Sequence, residues 1–188
     1  EVIALVVSQA ARTGRGIGLA PELKHPAYFR SLGLGLEERV LAVLAADAYT
    51  RVAPVVIQSF EADSLKQLRQ QVPKGGNLAL LQLVGRAQAD MLDPAGLAAM
   101  ATYADVLGPD RLHVIARQAD GQLGPASDLV QRAHRVGLQV VPWTFRPEQP
   151  YLPAGLPRSG EGARDEAGAV AEMQAYLATG IDGLMTDD

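Results

Sequence analysis

From Ile17 to Thr186 the chain alternates short apolar runs with helix-periodic segments, and this alternation limits the fold more than any other feature. The runs Ile17–Leu23, Val55–Phe60, Leu78–Val84, Ala104–Leu107, Leu138–Val141 and Gly183–Thr186 read as strands. Leu36 to Leu44, Leu65 to Val72, Leu97 to Tyr103, Leu129 to Val136 and Ala169 to Leu177 carry the helical spacing between them. Glu1 to Ala11 reads as the end of a helix, and His25–Gly35 and Arg146–Ala163 read as loops. Pro94 stands near the first turn of its helix, and Gly137 is placed as a C-terminal cap. Near-continuous apolar strands are expected where helices cover both faces of a sheet. The pattern therefore predicts an α/β chain with a parallel sheet, read as one domain over residues 1–188.

Composition narrows the function classes. The sequence has 188 residues and no cysteine, which excludes disulfides, thiolate metal sites and a cysteine nucleophile. The net charge of −4 offers no basic surplus for phosphate backbones, so nucleic acid is not an expected partner. No apolar run reaches the ~18 residues of a membrane-spanning helix. The first residue is Glu1, without a methionine or a signal segment, and a processed product or an excised portion of a longer protein is expected.

Polar residues gather where the strands end. Parallel α/β sheets bind ligands outside the carboxyl ends of their strands. Gln58 and Thr186 fit either a ligand site or the ordinary polar exit of a strand from the core. Glu22 and Lys24 say more: two apart on a strand, they share a side. They form either a structural ion pair or a hard-cation ligand beside a phosphate-binding ammonium. Trp143, the one tryptophan, and Phe145 on its side of the strand suit core packing or a substrate wall equally. His25, His113 and His134 have no metal-ligand spacing. Gly14–Gly18 is glycine-rich but precedes a strand, so a phosphate loop is not expected there.

Several blocks together resemble the glycerophosphodiester phosphodiesterases, in particular the calcium-using periplasmic branch. Gly18-Leu19-Ala20-Pro21-Glu22-Leu23-Lys24-His25-Pro26 is similar to the family's Pro-Glu-x-Lys-x-Pro segment. Ile57-Gln58-Ser59-Phe60 resembles its Gln-Ser-Phe strand end. Gly108-Pro109 followed by Ala133-His134-Arg135-Val136-Gly137-Leu138 is similar to another block. Pro142-Trp143-Thr144-Phe145-Arg146 resembles an aromatic-Thr-Phe-Arg motif, and Gly180 to Asp187 the final Gly-Val-Asp-Gly-x-x-Thr-Asp strand.

The resemblance implies a (β/α)8 TIM barrel, of which this chain would cover about six of the eight βα units. It implies hydrolysis of glycerophosphodiesters to glycerol 3-phosphate and an alcohol. Glu22 would hold a divalent cation, calcium favoured over magnesium. Lys24 would contact the phosphate, and Gln58, Trp143 and Phe145 would line the substrate. A periplasmic or secreted location follows from the resemblance alone. The family's His-Arg-Gly, Pro-Glu-Asn-Thr, Glu-x-Asp and His-Asp segments have no counterpart, and none of the three histidines matches a catalytic one. The chain alone is therefore expected to be nearly inactive, and to self-associate through exposed sheet edges. A non-catalytic barrel remnant serving as a binding or interaction module is the alternative.

Overall fold

The computed structural model describes residues 1–158 and 162–187. The chain forms two compact units, Glu1–Leu83 with Tyr103–Asp105, and Val84–Thr102 with Val106–Asp188.

The first unit holds helices α1 (Val2–Thr13), α2 (Pro26–Ser31), α3 (Glu37–Ala46) and α4 (Ala62–Arg69). Its strands β1 (Val55–Ser59) and β2 (Leu78–Val84) pair in parallel, from Val55 opposite Leu78 to Ser59 opposite Gln82. Ile57 and Leu80 on the sheet and Leu65 and Leu68 on α4 have no exposed surface. Burial of each such side chain contributes about 1.5–3 kcal/mol. Helix α1 ends at Gly14 in the left-handed region, φ 66°, and buries no residue.

The expected strand Ile17–Leu23 becomes an extended arm with two separate bridges, Leu19 to Val55 and Glu22 to Gln58. Both bridges keep one register. Leu19 N donates to Pro54 O, Val56 N to Leu19 O, Gln58 N to Pro21 O, and Leu23 N to Gln58 O. The ladder is interrupted because Pro21 has no N–H to give. The expected loop His25–Gly35 contains α2, which starts with Pro26 at its first position, where a missing N–H costs nothing.

The second unit holds α5 (Pro94–Met100), α6 (Leu129–Arg135) and α7 (Glu166–Leu177). Strands β3 (Val106–Pro109) and β6 (Gln139–Val140) pair in parallel. Bridges from Asp110 to Trp143 and from Phe145 to Thr186 carry the parallel direction onward. The strand expected at Ala104–Leu107 lies two residues later. The last expected strand, Gly183–Thr186, reduces to the single bridge at Thr186, while Asp188 and part of the 146–163 loop lie outside the described residues. An antiparallel hairpin, β4 (Ile115–Arg117) and β5 (Leu123–Ala126), has no apolar alternation to announce it. Its turn is set by Gly121 at φ 80°.

Candidate functional site

In the first unit the arm and β1 place their polar residues at the carboxyl end of the sheet. Tyr49 anchors the arm's start, its hydroxyl accepting from Ile17 N at 3.0 Å and donating to Ile17 O at 2.7 Å. Glu22 then stands directly across the ladder from Gln58, so the two side chains leave the same face. Lys24 Nζ lies 3.7 Å from Glu22 Oε2. The pair meets as its spacing predicts, but it is not buried: the Lys24 side chain is 73% exposed and that of Glu22 27%. Water still reaches both groups, so their mutual attraction is worth little to folding, and both stay available to a ligand.

A cavity of 280 Å³ opens here, walled by Glu22, Lys24, His25, Phe60 and Glu61. Ser59 shapes its floor, its hydroxyl donating to Leu23 O at 3.0 Å and accepting from Glu61 N at 3.2 Å. Glu61 Oε2 accepts from Ala27 N at 3.0 Å and ties α2 to the turn after β1. His25, at φ 52°, adopts a left-handed conformation at the start of α2. Glu61 belongs to none of the sequence motifs, and Phe60 enters only as the end of the Gln-Ser-Phe block. Their place beside the Gln-Ser pair is the one signal that could have found them.

A larger cavity of the same unit, 420 Å³, lies at the amino ends of β1 and β2 among Leu44, Thr50, Val72 and Asn77. Its lining is mainly apolar. Ligand chemistry in parallel sheets belongs to the carboxyl ends, and the charged groups stand at the smaller cavity.

The fit of a divalent cation can be judged from the donors. Glu22 and Gln58 offer only oxygens, as a hard cation requires. Gln58 Nε2 donates to Ala20 O at 2.9 Å, whereas its Oε1 is buried without a hydrogen-bond partner. Donor type therefore fits, but donor number falls short of a full shell. Among the described residues no group of three or more His, Cys, Asp or Glu could hold a metal ion.

In the second unit the structure separates Trp143 from Phe145. Trp143 is half-buried, and its Nε1 donates to Gly108 O at 2.8 Å. Phe145 has no exposed surface. Its ring meets Tyr176 edge-on at 4.9 Å, and the Arg111 guanidinium lies 5.5 Å from its centroid. Phe145 is thus a core residue of this unit rather than part of an open wall. Its backbone is held by Met185, and Thr186 Oγ1 donates to its carbonyl at 3.1 Å. Arg146 pairs with Asp187 at 2.6 Å, so the 142–146 and 180–187 blocks meet.

His113 and His134 have structural partners. His134 Nε2 lies 2.8 Å from Asp182 Oδ2, which also accepts from Val140 N at 2.7 Å. His113 sits in a short 3-10 turn with Nε2 3.3 Å from Gly85 O.

The same unit buries a charge cluster that the sequence does not reveal. Glu172, with no exposed surface, accepts from Arg111 at 2.8 Å and Arg117 at 2.9 Å. Both guanidiniums also donate to Tyr151 O. Burial pushes the Glu172 carboxyl upward against the pull of the two arginines, and pushes Arg117 downward.

The glycerophosphoryl diester phosphodiesterase family matches residues 17–188. The chain is 22% identical to a glycerophosphodiester phosphodiesterase of Haemophilus influenzae, covering 92% of this chain and 54% of that protein. It is 26% identical to the glycerophosphodiester phosphodiesterase GDPD6 of Arabidopsis thaliana, covering 96% of this chain and 51% of that protein. A crystal structure of a provisionally named glycerophosphoryl diester phosphodiesterase from Silicibacter pomeroyi DSS-3 superimposes with a TM-score of 0.61 at 23% identity, covering 98% of this chain and 52% of the other. The chain therefore spans about half the length of the curated relatives it matches. The structural likeness extends to the fold, which is of the TIM-barrel class that the family resemblance implies.

Proposed function

The chain belongs to the glycerophosphoryl diester phosphodiesterase family, and we propose that its protein hydrolyses glycerophosphodiesters to glycerol 3-phosphate and an alcohol with a divalent cation. The observation that carries this reading is the placement of Glu22, Lys24 and Gln58 together at the carboxyl end of the first unit's sheet. In the reaction a water oxygen forms the new bond to phosphorus, the bond from phosphorus to the alcohol oxygen breaks, and that oxygen takes a proton. A bound cation would neutralise charge on the phosphate oxygens.

The chain's own residues do the positioning. Glu22 would hold the cation, calcium in preference to magnesium by the family resemblance alone, and Gln58 across the ladder from it would line the substrate. Lys24, largely exposed, would meet a phosphate oxygen. Trp143 belongs to the same proposal through the resemblance of its block, as does a periplasmic or secreted location.

Proton transfer needs a group that titrates near neutrality. His134 is held by Asp182 and His113 faces a carbonyl, while His25 walls the cavity but matches no catalytic histidine of the family. The 188-residue chain by itself is accordingly proposed to turn over little. It is also proposed to self-associate. Among the described residues no strand covers the outer side of the Leu19–Leu23 arm, and Val2 and Leu5 of α1 are 67% and 60% exposed.

The test is glycerol 3-phosphate release from glycerophosphocholine by the full-length protein, with and without calcium, beside Glu22→Gln. Calcium-dependent turnover that Glu22→Gln abolishes is expected. Turnover indifferent to chelator and to that substitution would overturn the reading.

A further inference from the structure

Gln82 is a polar side chain with no exposed surface, in the middle of an otherwise apolar strand. A buried amide is costly unless its donors and acceptor are all engaged. Here they are. Nε2 lies 3.3 Å from Ser59 O, 3.1 Å from Phe60 O and 2.9 Å from Leu83 O. Oε1 accepts from the Tyr103 hydroxyl at 3.0 Å. Two amide hydrogens shared among three carbonyls make at least one bond bifurcated.

The location of these carbonyls gives the contact its meaning. Ser59 is the last β1 residue paired with β2, and its partner in the register is Gln82 itself. Phe60 lies one residue further on, where the chain leaves the sheet for α4. The Gln82 amide reaches past the last rung to the Phe60 carbonyl. From that turn the bonds continue to the cavity: Ser59 Oγ to Leu23 O, Glu61 N to Ser59 Oγ, and Glu61 Oε2 to Ala27 N. Lys24 and His25 lie between the attachments at Leu23 and Ala27, and Glu22 directly precedes the first.

We propose that Gln82, oriented by Tyr103, is a positioning residue that holds the turn after β1 and through it the walls of the Glu22–Lys24 cavity. Tyr103 decides which way the amide faces. Its hydroxyl has one hydrogen and spends it on Oε1, so Nε2 must point at the carbonyls. Burial, with Asp63 adding to it, pushes the Tyr103 phenol up to about 12, so the hydroxyl keeps its proton through any working pH. Gln82 reaches none of the cavity's open space and acts only through backbone.

The positional role stands on geometry. Its consequence for turnover rests on the proposed function. Amide hydrogen exchange separates the two. In Gln82→Leu, the amides of Leu23, Ala27 and Glu61 are expected to exchange about tenfold faster or more, with core amides of β1 unchanged. Tyr103→Phe should raise the same three rates by less. The double variant should match Gln82→Leu alone, because Tyr103 acts through Gln82. Unchanged rates at those amides in Tyr103→Phe and Gln82→Leu overturn the proposal, as do additive effects. Should Gln82→Leu not fold, Tyr103→Phe alone decides: faster exchange supports, unchanged exchange overturns. Titration with Mn²⁺ alone adds a site readout. Weaker binding in Gln82→Leu supports a role at the cavity. Mn²⁺ binding that Glu22→Gln leaves unaltered would defeat the proposed function while leaving the exchange result to stand.

Discussion

Arg111 Nη1 lies 2.8 Å from Oε2 of Glu172, a carboxylate with no exposed surface. Arg117 takes the other oxygen at 2.9 Å, so one buried acid serves two bases. Removing the acid leaves two guanidiniums facing each other in the interior. Glu172→Ala is expected to cost about 3–5 kcal/mol. Glu172→Gln, which keeps an acceptor oxygen but no charge, should cost less. Urea denaturation measures both, and a loss below 1 kcal/mol for Glu172→Ala would mean that the cluster contributes little.

Glu37 gives the stability a dependence on acid. Burial raises its carboxyl, but the hydroxyl of Ser64 at 2.7 Å and the guanidinium of Arg30 outweigh it, and the net direction is downward. A carboxyl whose value is lower folded than unfolded stabilises the protein above the ordinary glutamate range. That contribution is lost as pH falls through the folded value. Glu37→Gln should therefore lower stability at neutral pH and flatten its fall on the acid side, with a constant difference between the two proteins from neutral to mildly alkaline pH. Parallel acid denaturation curves for the two proteins would contradict this.

Gly18 is needed for space. A Cβ there would stand 2.7 Å from Pro54 O, the oxygen that accepts from Leu19 N at 3.0 Å. Gly18→Ala should push the arm off β1 at its first bridge and cost about 1–3 kcal/mol. The Leu19 amide should lose protection first. Wild-type stability with a fully protected Leu19 amide would rule the clash out.

Lys24 is the exposed cation of the candidate site. Lys24→Met in the full-length protein is expected to raise KM for a glycerophosphodiester about ten- to a hundredfold. It should also weaken the dependence of KM on ionic strength, because an exposed charge is screened by salt. Steady-state kinetics across a salt series checks both, and an unaltered KM would remove Lys24 from phosphate binding.

Much of this protein is legible before any coordinates. The strands β1 and β2 fall where the apolar runs place them. Helices α3, α4, α5, α6 and α7 follow the helical stripes. Gly137, at φ 82°, follows α6 as its position before Leu138 suggests. Spacing alone also puts Glu22 and Lys24 on one side of the arm. Less legible is the hairpin β4–β5, whose residues are part-exposed and lack the alternation of a half-buried strand. The apolar pattern of the arm predicts a full strand because it hides the effect of Pro21 on the ladder.

The sequence by itself determined the order and type of the main elements, and the family, because periodicity and motif spacing are local properties. Only the tertiary structure decided what each polar or aromatic side chain meets. Trp143 and Phe145 are two residues apart, yet one reaches Gly108 from a half-buried position and the other is enclosed by Tyr176 and Arg111. Gln82 finds Tyr103, and Glu172 finds Arg111 and Arg117, across long stretches of chain. Such partners are chosen by close packing and by the cost of leaving a buried polar group unpaired, and both depend on neighbours that meet only after folding.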